Sequence, residues 1–170
     1  KALEHLNGRL VGIDGLVSGE EFYNMYGFTS EYEIMRFGGI IIVEGEPDFK
    51  VTAANDVDLI VLAKYDERMF GILRPAFVKA WVEQPGAESA CYVEEGRIRG
   101  FSVLRPCRKG YRLGPLFADS PQIARTLICH LACKTGGNPV FIDVPLINNE
   151  AVMLVHGLGM KPVLSRLRLY

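Results

Sequence analysis

Residues Leu113–Arg125, with the sequence LGPLFADSPQIAR, contain the junction that decides the fold. The apolar run from Tyr111 to Ala118 predicts a strand, and Ser120 followed by Pro121 is a typical N-cap and first-turn pair of an α-helix. A strand that leads through a tight loop into a helix leaves the first backbone N–H groups of that helix free, at the positive end of its dipole. The segment predicts an anion site suited to a pyrophosphate, and a simple capped helix after a strand is the alternative.

Strands and helices are predicted on both sides of this junction. Apolar alternation and turn signals predict strands, which are Glu88–Glu94, Arg97–Arg105, Tyr111–Ala118, Val140–Pro145 and Val163–Tyr170. Apolar residues at helical spacing and capping signals predict helices, which are Asp66–Phe70, Arg74–Val82, Gln122–Thr135 and a helix from Asn148 or Asn149 to Val155. The fold class is therefore α/β (α+β), a mixed layer in which an antiparallel meander leads into a helix.

Two patterns of the sequence recur about 130 residues apart. Arg9–Asp14 resembles Pro139–Asp143, and a polar turn and a short helix follow each of them. Ile34–Phe37 in turn resembles the sequence around Arg166–Tyr170. The recurrence predicts two copies of one unit, of which the first retains only its last third.

This repeat divides the chain into two predicted domains. Residues 1–40 are the remnant of a first copy, and residues 41–170 are a second copy that is almost whole. A remnant of that size buries too little surface to fold alone. We therefore expect residues 9–39 to form a strand, a helix and a strand that pack on the second copy, within one chain or in a swapped homodimer. The Gly38-Gly39 pair is expected to end the last of these strands.

Composition and charge exclude several function classes. The chain has 170 residues, of which 49% are hydrophobic and 23% are charged, as in folded soluble domains. Its net charge of −1 provides no basic excess for nucleic acid. No apolar run approaches the roughly 18 residues of a membrane span, so we expect neither nucleic acid nor a membrane as a partner. The chain starts with Lys1 rather than Met, so we expect a fragment of a longer protein.

The four cysteines predict a reducing compartment rather than a disulfide framework. Cys129 and Cys133 lie four residues apart on a predicted helix, but a metal ion would need two further ligands. We therefore expect free thiols, no metal and a cytoplasmic protein.

Asp143 is the candidate catalytic carboxylate that the residues themselves indicate. It lies in an apolar strand, where it could act as an acid or base. A strand-end aspartate that caps the following turn is the alternative. Asp14 occupies the matching position in the first pattern, which favours a structural role common to both.

The order of these elements and of several short motifs resembles the GNAT (Gcn5-related N-acetyltransferase) family, and more closely the C-terminal acetyltransferase domain of tandem GNAT proteins. The motifs are Phe70, Arg74 and Trp81, then Gly100-Phe101, Arg105-Pro106, Gly114–Asp119, Ile142–Pro145, Asn149, Gly159-Met160 and Arg168–Tyr170. The resemblance implies a GNAT-like mixed, mostly antiparallel sheet flanked by helices in residues 41–170. It also implies a partial GNAT copy in residues 1–40, in which Tyr23–Phe28 match the tyrosine-containing helix end of the family.

The resemblance further implies a cofactor site. Acetyl-CoA, or another acyl-CoA, would be the co-substrate, with its pantetheine arm along the strand that ends at Ala118 and its pyrophosphate over Asp119–Ala124. The cofactor-binding residues so implied are Leu116, Phe117, Ala118, Asp119, Ser120, Gln122, Ile123, Ala124 and Asn149.

By the same resemblance, the reaction would be direct attack on the thioester by an unidentified primary amine of a small molecule or a peptide. Asp143 would accept the proton of the amine. The usual tyrosine acid falls at Val155, so Ser165 or solvent would protonate the leaving thiolate. Val155, and Gln122 at a position where the family has glycine, favour the alternative of a catalytically impaired GNAT-fold module that binds CoA or has a structural or regulatory role.

Overall fold

The computed structural model describes residues 6, 8–43 and 50–170. In this part of the chain, the strands are β1 (Ile13–Leu16), β2 (Ser30–Gly39), β3 (Val51–Ala53), β4 (Glu88–Glu94), β5 (Arg97–Pro106), β6 (Tyr111–Ala118), β7 (Val140–Pro145) and β8 (Lys161–Leu169). The α-helices are α1 (Glu20–Met25), α2 (Leu59–Phe70), α3 (Pro75–Val82), α4 (Pro121–Ala132) and α5 (Asn149–Gly157).

The strands form one mixed sheet in the order β1-β8-β2-β7-β6-β5-β4-β3. The pairing is antiparallel throughout, except between β6 and β7, which run parallel. A parallel pair needs a crossover, and α4 supplies it between β6 and β7. The predicted mixed, mostly antiparallel sheet flanked by helices is therefore present.

The helices begin where the sequence provides side-chain caps. The Ser120 hydroxyl accepts a hydrogen bond from the backbone N–H of Ile123 at 3.3 Å, and Pro121 occupies the first turn of α4. Asn148, rather than Asn149, caps α5, since its side-chain oxygen accepts from the Ala151 N–H at 3.0 Å. These caps fix where both helices start relative to the ends of β6 and β7.

Each face of the sheet is covered by a pair of helices. Helices α4 and α5 pack on one face, which we call the α4/α5 face, over the buried side chains of Leu104, Leu113, Val140, Ile142 and Val144. Helices α2 and α3 pack on the opposite face, the α2/α3 face, over Cys91, Ile98, Phe101 and Val103. Successive residues of one strand, such as Val103 and Leu104, thus belong to different cores, because side chains of a strand alternate between faces.

Residues 13–39 contain the predicted strand, helix and strand, and these are part of the sheet within one chain. Strand β2 lies between β7 and β8, and β1 pairs with β8 at the edge. The expectation that Gly38-Gly39 breaks the strand after Phe37 is wrong, because β2 continues through Gly38 and ends at Gly39. A Cβ at Gly38 would lie 2.7 Å from the ring of Phe141, so glycine is needed there for close packing inside the strand.

The same ion pair occurs twice in the four strands β1, β8, β2 and β7. Asp14 lies opposite Arg168 in the β1–β8 pair, and their charged groups are 2.8 Å apart. Asp143 lies opposite Arg36 in the β2–β7 pair, with a distance of 2.7 Å. The sequence repeat aligns these two aspartates with each other and these two arginines with each other. The assignment of residues 1–40 to a first copy stays a prediction.

If β2 is a central strand of one cooperative unit, its core residue should matter for global stability. Phe37 is 2% exposed, and the centroid of its ring lies 5.1 Å from that of the His156 ring. We expect Phe37→Ala to lower the free energy of unfolding by about 3–5 kcal/mol in urea denaturation. Ile42→Ala is the control, since Ile42 is 82% exposed and should change the value by less than about 0.5 kcal/mol. Equal stability of the two variants would contradict the placement of β2.

Candidate active site

Strand β6 loses one of its two partners half-way along its length. Its pairing with β7 ends where Leu113 lies opposite Ile142. The next two residues, Gly114 and Pro115, lie opposite the single residue Val103 of β5, which makes a β-bulge. Pro115 has no N–H to donate to a neighbouring strand. Beyond Leu113, β6 therefore continues beside β5 and separates from β7.

A side-chain hydrogen bond from β5 fixes the bulge of β6 to that strand. Ser102, which is fully buried, donates its hydroxyl proton to the Pro115 carbonyl at 3.0 Å, and β5–β6 pairing resumes at Leu116. The separation of β6 from β7 is thus built into the sheet by a specific hydrogen bond.

A cavity of about 280 Å³ lies where the two strands separate, on the α4/α5 face. Strands β6 and β7 contribute Leu116, Phe117, Ala118, Ile142 and Val144 to its lining. The loop after β6 and the start of α4 contribute Asp119, Ser120, Pro121 and Ala124. Helix α5 and its cap contribute Asn148, Glu150, Ala151, Leu154 and Val155. The cavity thus runs from an apolar gap between strands to the N-terminus of a helix.

The N-terminus of α4 provides a favourable end for an anion. The Ala124 N–H binds the Ser120 carbonyl at 3.0 Å and the Ile123 N–H binds the Ser120 hydroxyl, while Pro121 has no N–H. The N–H of Gln122, at the second helical position, has no acceptor within the helix. This donor and the helix dipole favour a negative group at the wall formed by Ser120 and Ala124.

Asp119 does not place an uncompensated negative charge at this wall. The Arg68 guanidinium lies 2.6 Å from its carboxylate, and that of Arg99 lies 3.3 Å away. The Tyr65 hydroxyl also donates to it at 3.1 Å. Burial, with the charge of Asp119, raises the pKa of Tyr65 well above its usual value of 10.0, so the phenol remains a donor at neutral pH. The arginines offset the charge that the sequence places beside the anion site.

Six of the nine predicted cofactor-binding residues line the cavity, and these are Leu116, Phe117, Ala118, Asp119, Ser120 and Ala124. The side chain of Gln122 is exposed and borders a second, shallower groove instead. Ile123 packs against Gly100 of β5. Asn149 does not line the cavity, whereas its neighbour Asn148 does. The binding roles of all nine residues stay predictions.

Asp143 lies on the sheet face opposite the cavity. Its strand neighbours Ile142 and Val144 line the cavity, so alternation turns Asp143 to the α2/α3 face. There it forms ion pairs with Arg36 at 2.7 Å, with Arg166 at 2.6 Å and with Arg112.

These ion pairs set the protonation of Asp143. Burial alone would raise the pKa of Asp143, but the hydrogen bonds from Arg36 and Arg166 and the charge of Arg112 outweigh it, so the pKa lies below its usual 3.8. A carboxylate with a lowered pKa is a weaker base. The arrangement favours a structural role, and the predicted catalytic role stays a prediction.

Of the two other residues discussed for proton transfer, Val155 lines the cavity and Ser165 does not. The Ser165 hydroxyl donates to the Glu33 carboxylate, and Ser165 is not among the residues that line the cavity. Val155 is buried and does line it, at the position where the family resemblance leads one to expect a tyrosine. The role of Ser165 stays a prediction.

Sequence reasoning missed the bulge and the residues that depend on it. A Gly-Pro pair inside an apolar strand is a signal of a bulge, and Gly114-Pro115 has that pattern. Ser102 and the three arginines around Asp143 give no comparable signal, because their partners come from distant strands.

The described residues contain neither a membrane-spanning helix nor a cluster of metal-binding side chains. Among residues 6, 8–43 and 50–170, no helix is long and apolar enough to cross a membrane. The same residues contain no group of three or more His, Cys, Asp or Glu side chains that could hold a metal ion.

The sequence is similar to known acyltransferases. A family model described as an acetyltransferase (GNAT) domain matches residues 62–170. The holothin acyltransferase of Pseudoalteromonas sp. (strain SANK 73390) is 28% identical over 172 residues, which cover 99% of this chain and 58% of that protein.

Solved structures show the same fold. A protein from Pyrococcus horikoshii that was assigned as an acetyltransferase has a TM-score of 0.72 and 26% identity, over 93% of this chain and 51% of that one. A GCN5-related N-acetyltransferase from Sphaerobacter thermophilus has a TM-score of 0.62 and 15% identity, over 94% and 58% of the two chains. This chain therefore spans between 51% and 58% of the length of these relatives.

The lowered pKa of Asp143 predicts a pH dependence of stability. Because the pKa is lower in the folded chain than in the unfolded one, the stabilisation is present above pH 3.8 and is lost as the pH falls further. We expect Asp143→Asn to lower the free energy of unfolding at pH 7 by about 3 kcal/mol, since three guanidinium groups lose their counter-charge. The loss should shrink when urea denaturation is repeated below that pH.

The matched control for this measurement is Asp56→Asn. Asp56 is exposed and lies in a short turn before α2. It should change the unfolding free energy by less than about 0.5 kcal/mol at every pH. A loss in Asp143→Asn that does not depend on pH would contradict the role of its charge.

Proposed function

The chain belongs to the GNAT acetyltransferase family, and we propose that it is an acyl-CoA-dependent N-acyltransferase that transfers the acyl group of acetyl-CoA to a primary amine by direct attack. The observation that carries this proposal is the cavity between the separated strands β6 and β7, which ends at the N-terminus of α4. The relative named holothin acyltransferase supports the reaction class.

The backbone of β6 suits an extended ligand that carries amide groups. From Leu116 to Ala118, the strand keeps β5 as its partner and has no pairing with β7. The N–H and C=O groups that point away from β5 are therefore available to the pantetheine arm, as in the addition of a strand to a sheet edge. The apolar side chains of Ile142, Val144 and Leu154 cover the other side of the cavity.

The start of α4 suits the pyrophosphate. The free Gln122 N–H and the helix dipole favour the negative charge, and Ala124 leaves room beside them. Gln122 departs from the glycine of the family, but its exposed side chain does not line the cavity. Arg68 and Arg99 compensate the carboxylate of Asp119. These residues together fit the cofactor.

Bound acetyl-CoA would supply the acyl group as an activated thioester. In this chain, backbone N–H groups at the β6–β7 separation are the available donors to the carbonyl oxygen in the transition state. The proton acceptor that the sequence names is Asp143, and ordered water is the alternative that its ion pairs favour. Val155 cannot protonate the thiolate, so solvent or Ser165 would have to do so.

We also propose that residues 1–40 are the end of a preceding GNAT copy. The repeated ion pairs Asp14–Arg168 and Asp143–Arg36 support this, as does the length of the relatives. The first copy and the second would then contribute alternate strands to one sheet, without a swapped homodimer. We place the protein in the cytoplasm, because of its unpaired cysteines.

Calorimetry with acetyl-CoA tests the cofactor site. Ala124→Glu puts a larger, negative side chain where the pyrophosphate would lie, and we expect it to weaken binding at least about 100-fold. The control is Cys133→Glu, which adds the same charge at an exposed position beyond the far end of α4 and should leave the affinity unchanged. Equal affinity in both variants would place the ligand elsewhere.

Thiol release from acetyl-CoA in the presence of a panel of primary amines tests the chemistry. If Asp143 accepts the proton, Asp143→Asn should lower turnover more than it lowers the affinity for CoA. If water accepts the proton instead, Asp143→Asn should keep the turnover of the wild type and lower only the stability. A protein that binds CoA tightly but acylates no amine would show that the catalytic proposal is wrong.

A further inference from the structure

Four arginines converge on the α2/α3 face of the sheet around one carboxylate. Arg166, Arg36, Arg112 and Arg105 come from β8, β2, β6 and β5, and Asp143 comes from β7. These five strands are consecutive neighbours in the sheet. Arg36 lies directly opposite Asp143, and Arg105 directly opposite Arg112, so the side chains of each pair point to the same face. We call this group the arginine cluster.

The carboxylates of the described residues do not balance the positive charge of the arginine cluster. Arg36, Arg112 and Arg166 all pair with Asp143, and no other carboxylate of the described residues lies within ion-pair distance of them. Arg105 has no ion pair at all with the described residues, and its pKa is lowered by burial and by the charge of Arg112. Among the described residues, four guanidinium groups thus surround one carboxylate, an excess of three positive charges.

Unused hydrogen-bond donors accompany this excess. The Nε atoms of Arg105 and Arg166 are buried and have no acceptor in the described part of the chain. A buried donor without an acceptor is costly, and so is a group of like charges. An anion bound beside these guanidinium groups would relieve the repulsion between the like charges.

The cluster is accessible and has an aromatic wall. The side chains of Arg36, Arg112 and Arg166 are 16–30% exposed, so their donors can be approached from solvent. The Arg105 guanidinium lies over the ring of Trp81 in α3, 4.5 Å from its centroid. This contact orients Arg105, whose guanidinium has no ion pair with the described residues and is suited to a planar acceptor such as a carboxylate.

The position of the cluster connects it to the proposed reaction. Leu113 and Ile142 form the last pair before β6 and β7 separate. Arg112 immediately precedes Leu113, and Asp143 immediately follows Ile142. The cavity opens from this separation on the α4/α5 face, and the cluster borders it on the opposite face. A molecule held by the cluster therefore approaches the gap from the side that the cofactor does not occupy.

We propose that the arginine cluster binds an anionic group, a carboxylate or a phosphate, of the amine that accepts the acyl group. The inference rests on the proposed acyltransferase function and names its acceptor class, an amine that carries a negative charge. The anion could instead belong to the acyl chain, as in a dicarboxylic acyl-CoA, and the experiments below separate these two sources.

The first experiment measures anion binding without catalysis. Inorganic phosphate and glutarate are titrated into the CoA-saturated protein, and the arginine Nε–H signals are followed by 15N NMR. We expect Arg105→Gln to weaken binding of both anions at least about tenfold, since a bidentate charged contact is lost. Arg97→Gln, at an exposed position of β5, is the control and should leave the affinity unchanged.

The first experiment uses Arg105→Gln because this variant is expected to fold as the wild type does. Arg105 has no ion pair with the described residues, so Arg105→Gln loses only the contact with Trp81 and should keep a thermal midpoint close to that of the wild type. Arg112→Gln, in contrast, breaks a contact with Asp143. Anion binding that is absent in the wild type, or equal in wild type and Arg105→Gln, would overturn the proposal.

The second experiment identifies the source of the anion. Amino carboxylic acids are compared with their carboxamides as acceptors, and acetyl-CoA is compared with succinyl-CoA as donor. We expect kcat/KM to be at least about tenfold higher for the acids with acetyl-CoA, and this ratio to approach one in Arg105→Gln. A preference for succinyl-CoA with no preference among the amines would overturn the assignment to the acceptor.

The two experiments also separate this inference from the proposed function. If acids and carboxamides are acylated equally, the acyltransferase function holds and the acceptor class is wrong. If phosphate and glutarate bind through Arg105 but no amine is acylated, the anion site exists, the acyltransferase function fails, and the assignment of that site to an acceptor amine fails with it.

Discussion

The end of hydrogen bonding between β6 and β7 is the constraint on which the site depends. Two neighbouring strands normally satisfy each other along their whole length, because unpaired backbone groups are costly. Here the bulge at Gly114 and Pro115 leaves a row of β6 groups without a strand partner, and Ser102 keeps β6 on β5. The other parts of the site lie around this separation of β6 and β7. The start of α4 lies at one end, the cavity on the α4/α5 face and the arginine cluster on the opposite face.

The elements of the fold could be predicted from the sequence where local rules dominate. The meander, the cap at Ser120, the strand at Val140–Pro145 and the last helix follow from periodicity, turns and capping. Helix α2 begins at Leu59, ahead of the predicted start at Asp66, because tertiary packing buries one of its faces against β5. Gly38-Gly39 behaved differently from a turn signal because a ring from the neighbouring strand lies over Gly38.

The cavity on the α4/α5 face was more predictable than the arginine cluster on the opposite face. The six predicted residues that line the cavity all lie between Leu116 and Ala124, so one strand-to-helix motif brings them together. The arginine cluster is assembled from five strands, and its pairs form only when the sheet order is known. Asp143 illustrates the difference, because its strand was predicted within the correct bounds while the face it occupies depended on the register of its partners.

The position of β2 has a consequence for the order in which the chain folds. This strand precedes both of its neighbours, β7 and β8, and four other strands lie between β2 and β7 in the sequence. Its contacts are among the longest in sequence separation, and closing so long a loop carries an entropic cost that slows folding. Residues 30–39 therefore remain without their two strand partners until β7 and β8 have been made, and only then can the middle of the sheet form.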